Sequence, residues 1–141
     1  MTSETERNKH LVREFVCAIN ARDWDGLERT IATDFVRHSS AAPSVGSREE
    51  LKEYLRRECE VFPDARESIE DILAEGDKVA CRHRFRGTQV GAMGAFPASG
   101  RVLTADYLAI YRVYGGLIVE AWAEWDNLSG LAQLGHYKPG A

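Results

Sequence analysis

Val113-Tyr114-Gly115-Gly116-Leu117-Ile118-Val119-Glu120-Ala121-Trp122-Ala123-Glu124-Trp125-Asp126 reads as a tight turn followed by a strand that closes on a carboxylate. Glycine at both central turn positions suits the positive φ values of a two-residue primed hairpin turn. The strand Leu117–Glu124 therefore folds back on Val102–Val113. The simplest register pairs Tyr114 with Leu117, and so Tyr111 with Glu120, Ala109 with Trp122 and Tyr107 with Glu124. One face then carries Tyr107, Tyr111, Glu120, Trp122, Glu124 and Asp126; the other carries Leu108, Ile110, Val119, Ala121, Ala123 and Trp125. Both faces are too apolar to be fully wet, which predicts a central pair of strands. A bulge near Glu124 would move Asp126 to the other face.

Upstream of the hairpin, Ile69, Asp71 and Leu73, then Val79, Cys81, His83 and Phe85, follow a period of two around the turn Glu75-Gly76-Asp77. Thr88 to Gly100 joins two strands with small residues and two large apolar ones, Met93 and Phe96. It is either a long hairpin loop or a lid that closes over a ligand. Ser3 with Glu6 has capping-box form, and Leu11, Val12, Phe15, Val16 and Ile19 follow at helical spacing, predicting a helix over Glu4–Arg22. Asp23 opens a second short helix through Trp24, Leu27 and Ile31. Asp34–Ser40 is extended and carries His38, and residues 41–46 are a loop. Ser47 with Glu50 repeats the capping signature before Leu51, Tyr54, Leu55 and Phe62, and Pro63 ends that helix. Leu128, Leu131, Ala132 and Leu134 suggest a last helical turn or two stopped at Gly135, and Tyr137–Ala141 is expected to fray. Helices first and four strands after them predict one α+β domain over residues 1–141 with an antiparallel sheet.

At 141 residues, 44% hydrophobic and 28% charged, the chain can bury one core and is not of disordered composition. A net charge of -4 speaks against nucleic acid as a partner. Arg82, Arg84 and Arg86 alternate along one strand, as a solvated face does. No apolar run approaches a membrane span, and the polar start lacks the apolar stretch of a signal peptide. Cys17, Cys59 and Cys81 have no metal or disulfide spacing and are read as buried thiols of a cytoplasmic protein.

Phosphate-cradling, nucleophile-elbow and histidine metal motifs are absent from the sequence, so neither a cofactor nor a metal is expected. What remains is a pocket that works without a cofactor, or one that only binds. Asp126, where strand gives way to helix, either caps that helix or, flanked by Trp122 and Trp125, takes and returns a proton. Glu124 and His38 are the further catalytic candidates, each with a solvated-strand alternative. Phe15 and Tyr54 sit on helical core stripes and His83 on a buried strand face; all three are core residues that also qualify as ligand contacts, together with Met93, Phe96 and Trp122.

The order and spacing of several short pieces resemble the SnoaL-like polyketide cyclase family, within the superfamily of nuclear transport factor and ketosteroid isomerase. These are Asn8-Lys9-x-Leu11-Val12-Arg13-x-Phe15, Asp34-Phe35-Val36-x-His38, Phe62-Pro63-Asp64, Ile69-Glu70-Asp71-Ile72-x-Ala74-Glu75-Gly76-Asp77-Lys78-Val79-Ala80, Arg86-Gly87-Thr88, Gly100-Arg101, Ile110-Tyr111-Arg112, Ile118-Val119-Glu120-x-Trp122-x-x-Trp125-Asp126 and Gln133-Leu134-Gly135. The resemblance implies a cone-shaped barrel of strongly curved antiparallel sheet wrapped around N-terminal helices, and commonly a homodimer through the sheet. It implies an apolar polycyclic ketone or ester as substrate. It also implies an intramolecular aldol-type step without cofactor or metal, with Asp126 as general acid/base. Ala121 and Gln89 stand where the family often has histidine, and Gln89 joins the substrate-binding set. Relatives include cofactor-free hydroxylases and isomerases, and a pocket that only binds is the alternative from another class. The Arg-x-Asp arrangement of the epoxide-hydrolase relatives has no counterpart on the arginine-bearing strand.

Overall fold

The computed structural model describes residues 2–138 and 140 of the chain. The end of the tail expected to fray, Pro139 and Ala141, lies outside the described residues. Helix α1 (Glu4–Ala21) starts as its sequence dictates, with Ser3 Oγ accepting from Glu6 N–H. It stops at Arg22, whose φ of 57° puts a non-glycine residue in the left-handed region. The Arg22 guanidinium donates to Pro63 O at 3.2 Å and Ala65 O at 2.9 Å, binding the helix end to the chain just ahead of Arg66.

A short 3-10 turn (Asp25–Arg29) leads into strand β1 (Ile31–His38), helix α2 (Arg48–Val61), strands β2 (Arg66–Glu75), β3 (Lys78–Thr88), β4 (Val102–Tyr114) and β5 (Leu117–Trp125), and helix α3 (Asn127–Gln133). Ile31, expected in a helix, opens β1, because Asp25–Arg29 closes after one turn. The sheet order is β1-β5-β4-β3-β2. Four strands pair antiparallel, but β1 lies parallel to β5, with Arg37 opposite Ala121 and His38 opposite Trp122. The sheet is therefore mixed and has five strands, one more than the period-two segments alone predict.

Gly115 and Gly116 take φ values of 60° and 79°, the primed turn their sequence called for. Beyond the turn the expected register fails. Tyr114 faces Leu117 and Val113 faces Ile118, but Arg112 faces Glu120, so Val119 is an extra residue on β5. A one-residue slip sends every later side chain to the opposite face. Tyr107 and Tyr111 thus share the helix-facing side with Ala121, Ala123 and Trp125. Leu108, Ile110, Glu120, Trp122 and Glu124 point outward. A second extra residue, Glu70, interrupts β2 against β3. Such bulges add twist and bend, and the sheet curls around α1 and α2.

The core between sheet and helices holds Val12, Phe15, Ile19, Leu27, Phe35, Val79, Tyr111 and Ile118, all buried. Lys52 and Glu28 pair at 3.1 Å beside α2. Cys81 is buried as expected, Cys59 half-buried, and Cys17 exposed because it falls off the apolar stripe of α1. No helix among the described residues is long and apolar enough to cross a membrane.

Candidate active site

The curled sheet and the helices enclose a cavity of about 450 Å³, within the range of small-molecule pockets. Its walls come from every layer. Phe15 and Ile19 descend from α1, Leu51 and Tyr54 from α2, and Tyr107, Tyr111 and Trp125 rise from β4 and β5. Met93 and Phe96, in the long β3–β4 connection, complete the wall. Their backbones exchange hydrogen bonds of 2.8 and 3.0 Å across a tight turn.

Gln89 is why that connection holds its shape. It is completely buried, and its amide donates to Gly91 O and Pro97 O at 3.1 Å each. Its Oε1 accepts from Ser99 Oγ at 3.0 Å and lies 2.7 Å from His136 Nε2. Gly91 lies so close to Glu60 O that a Cβ there would meet it at 2.7 Å, which only glycine avoids. Gln89 is thus the internal frame of the loop and does not line the cavity, because every polar atom of its side chain is used by its own segment and His136.

Asp126 lies on the cavity wall and is exposed at its mouth. It is also the cap of α3: Oδ1 accepts from Ser129 N–H at 2.9 Å. Its Oδ2 makes no hydrogen bond among the described residues. One Asp126 oxygen therefore caps the helix, and the other is open.

His38, Glu124 and Trp122 do not reach the cavity; the Val119 bulge and the edge position of β1 put them on the outer face. Glu124 accepts from Ser40 N–H at 2.9 Å and Ser40 Oγ at 2.8 Å. His38 Nε2 is 2.7 Å from Glu120 Oε2, and its ring stacks on Trp122 with centroids 5.4 Å apart. Arg112 Nε donates to the other Glu120 oxygen at 3.0 Å. The bonds from His38, then Arg112, hold the Glu120 carboxyl below the usual carboxylate range.

His83 is wholly buried one layer behind the cavity wall. Its Nε2 lies 2.8 Å from Tyr111 Oη and its Nδ1 3.4 Å from Glu67 Oε1. Tyr107 stacks on the His83 ring at 4.3 Å and donates its hydroxyl to Glu67. Burial, then the Glu67 charge, pushes both tyrosines well above their ordinary value. They meet a ligand as neutral hydroxyls.

Glu58, Glu67 and Arg37 are cavity residues that the sequence reading passed over. Signals for them exist. Glu58 replaces an apolar residue on the α2 stripe Leu51, Leu55, Glu58, Phe62, where a carboxyl is costly. Arg37 has the inward parity of Phe35, and Glu67 that of Ile69. Burial, then the Glu67 charge, raises the Glu58 carboxyl to about 8. No three His, Cys, Asp or Glu side chains among the described residues converge as a metal site.

The family model for SnoaL-like polyketide cyclases matches residues 9–134. The chain belongs to the SnoaL-like polyketide cyclase family. Solved structures agree. TsrD from Streptomyces laurentii is 27% identical, with a TM-score of 0.85 over 96% of this chain and 100% of that one. IdmH from Streptomyces antibioticus, a provisionally assigned polyketide cyclase, is 32% identical with a TM-score of 0.80 over 91% of this chain and 98% of its own. AclR from Streptomyces galilaeus, a provisionally assigned hydroxylase, is 25% identical with a TM-score of 0.84, covering 96% and 100%. A comparison with curated proteins gave no match. The cone-shaped α+β fold implied by the motif order is the fold of the family.

Proposed function

We propose that this SnoaL-like protein is a cofactor-independent cyclase or isomerase of a flat, apolar polycyclic ketone or ester, with Asp126 as general acid/base. The observation that carries the reading is the open Asp126 Oδ2 at the mouth of an aromatic-walled cavity. A carbon acid flanked by carbonyls spreads its enolate charge over conjugated rings, so a carboxylate suffices as the base once the two reacting carbons are held together. Trp125, Phe15, Met93 and Phe96 supply flat apolar surface for such a ring system. In an aldol-type closure, Asp126 removes the proton from carbon, the new C–C bond forms at the second carbonyl, and that oxygen is protonated.

The test is deuterium uptake from heavy water into polycyclic β-keto esters and ketones. Wild type is expected to catalyse uptake, and Asp126→Asn to lose it by roughly 10²-fold or more. Asparagine caps a helix about as well as aspartate, so the variant keeps its fold and its ligand affinity. Equal uptake by both proteins would remove Asp126 from the mechanism. The second reading, a pocket that binds without turnover, draws on the exposure of Asp126 and its cap bond; ligand binding without uptake in either protein would establish it.

The same reading gives the protein a cytoplasmic setting with free thiols, no nucleic-acid or membrane partner, and a second copy of itself across the outer sheet face. There Leu73, Leu108, Ile110 and Trp122 are exposed large apolar side chains, and Leu73, Ala80, Ile110, Trp122 and His38 fall in one row across all five strands. Light scattering should return twice the chain mass and, for Ile110→Glu, the single chain; a monomeric wild type would end the homodimer proposal.

A further inference from the structure

Two polar groups on the cavity wall have no role in the reaction just described. Arg37 on β1 is only 8% exposed, yet its Nε–H is buried without a partner. Its guanidinium lies 4.2 Å over the Tyr54 ring, and Nη2 donates to Pro43 O at 3.2 Å. Leaving a buried donor unmade costs about 1–3 kcal/mol. Glu58, on α2, faces the same cavity, and its carboxyl makes no hydrogen bond among the described residues. Neighbouring polar groups are engaged by contrast. Glu67 accepts from Tyr107, and Tyr111 is bonded to His83.

The chemistry of the pair selects its ligand. Glu67 from β2 and Arg37 from β1 act on Glu58 across the cavity, with Arg22 from the end of α1; Tyr54, Cys59 and Tyr107 are the other titratable groups around it. Burial and Glu67 outweigh the two arginines, so Glu58 carries a proton at neutral pH. An arginine offers donors only, and a carboxylic acid adds an O–H donor. Two donors on an apolar wall fit an oxygen acceptor, whereas an ammonium group would meet the Arg37 charge.

We propose that Arg37 and Glu58 form an oxygen-binding subsite that takes a ketone, quinone or ester carbonyl of a flat-ringed ligand at the part of the cavity away from Asp126. Arg37 is paired with Ala121, five residues before Asp126 on the same strand path, or about 17 Å of extended chain. A ligand held there presents its other end to the mouth. The subsite fixes orientation and is not the site of proton abstraction. It rests on the premise that the cavity holds a flat ring system, but not on turnover.

Two probes of nearly the same shape test it: 9-fluorenone, with one carbonyl and no titratable group, and fluorene, without the carbonyl. Wild type is expected to bind fluorenone about tenfold more tightly than fluorene, followed by quenching of tryptophan fluorescence. The bound carbonyl stretch should move to lower frequency in the infrared. As pH rises through about 8, Glu58 loses the proton it donates, and the preference should fall. Glu58→Gln keeps an N–H donor and should retain the preference at every pH; Glu58→Leu should lose it while still binding fluorene. An undiminished preference and carbonyl shift in Glu58→Leu would overturn the subsite alone. A cavity that takes neither probe would overturn the subsite and its premise together. Asp126→Asn should keep the fluorenone preference, so loss of turnover and loss of the subsite are separate results.

Discussion

On the helix-facing side of the sheet, where the Tyr107 ring stacks on His83, Tyr107 bonds Glu67 and Tyr111 bonds His83 out of water. On the outer side of the same strands, Arg82, Arg84, Asp71 and Asp106 pair in contact with it, at 2.7 to 2.8 Å. The inner network contains few charges and keeps both tyrosine hydroxyls neutral. The outer one is rich in charge and contributes little per pair, because water screens it. Neighbouring residues on one strand therefore differ in what their loss should do.

The largest expected effect tests the buried side. Ile118→Asp puts a carboxylate on β5 where the side chain is wholly buried in the core, and an unpaired charge there is costly. Urea denaturation followed by circular dichroism should show no cooperative transition, or a loss above about 4 kcal/mol, a magnitude reserved for broken cores. A variant within about 1 kcal/mol of wild type would break the two-face account. Next is Tyr111→Phe, which leaves His83 Nε2 without its buried partner and should cost about 1–3 kcal/mol in the same assay. The smallest effect sits one residue away. Arg112→Ala removes an ion pair to Glu120 whose partners are partly in solvent, and is expected to cost less than about 1 kcal/mol. If Arg112→Ala cost more than Tyr111→Phe, the contrast between the faces would be lost.

The sequence makes the local elements legible because their signals are local. Both cap serines accept from the N–H of the glutamate three residues on, and Gly115-Gly116 fixes the hairpin turn. The family motifs carry the fold and place Asp126 at the end of β5. The facing of Trp122 and Glu124 is not legible in the same way. Val119 is a β-branched residue in an apolar run, and nothing in its neighbours marks it as the one without a partner. His38 was misplaced for a different reason, since its neighbour in the sheet lies 84 residues further on, at Trp122. Glu58, by contrast, was readable: a carboxyl on an apolar helical stripe signals either a partner or a ligand.

The parallel seam between β1 and β5 also has a consequence for synthesis. A ribosome delivers β1 early and the strand that covers it almost last. Until Leu117–Trp125 leaves the exit tunnel, Ile31 and Phe35 lack the neighbour that completes their side of the core, and β1 has no strand paired on either side. Closing a loop of this length is entropically slow compared with forming the β2–β3 or β4–β5 hairpins. The final strand thus brings Asp126 to the cavity wall and pairs with β1 in one act, so the cavity and the sheet are finished at the same moment.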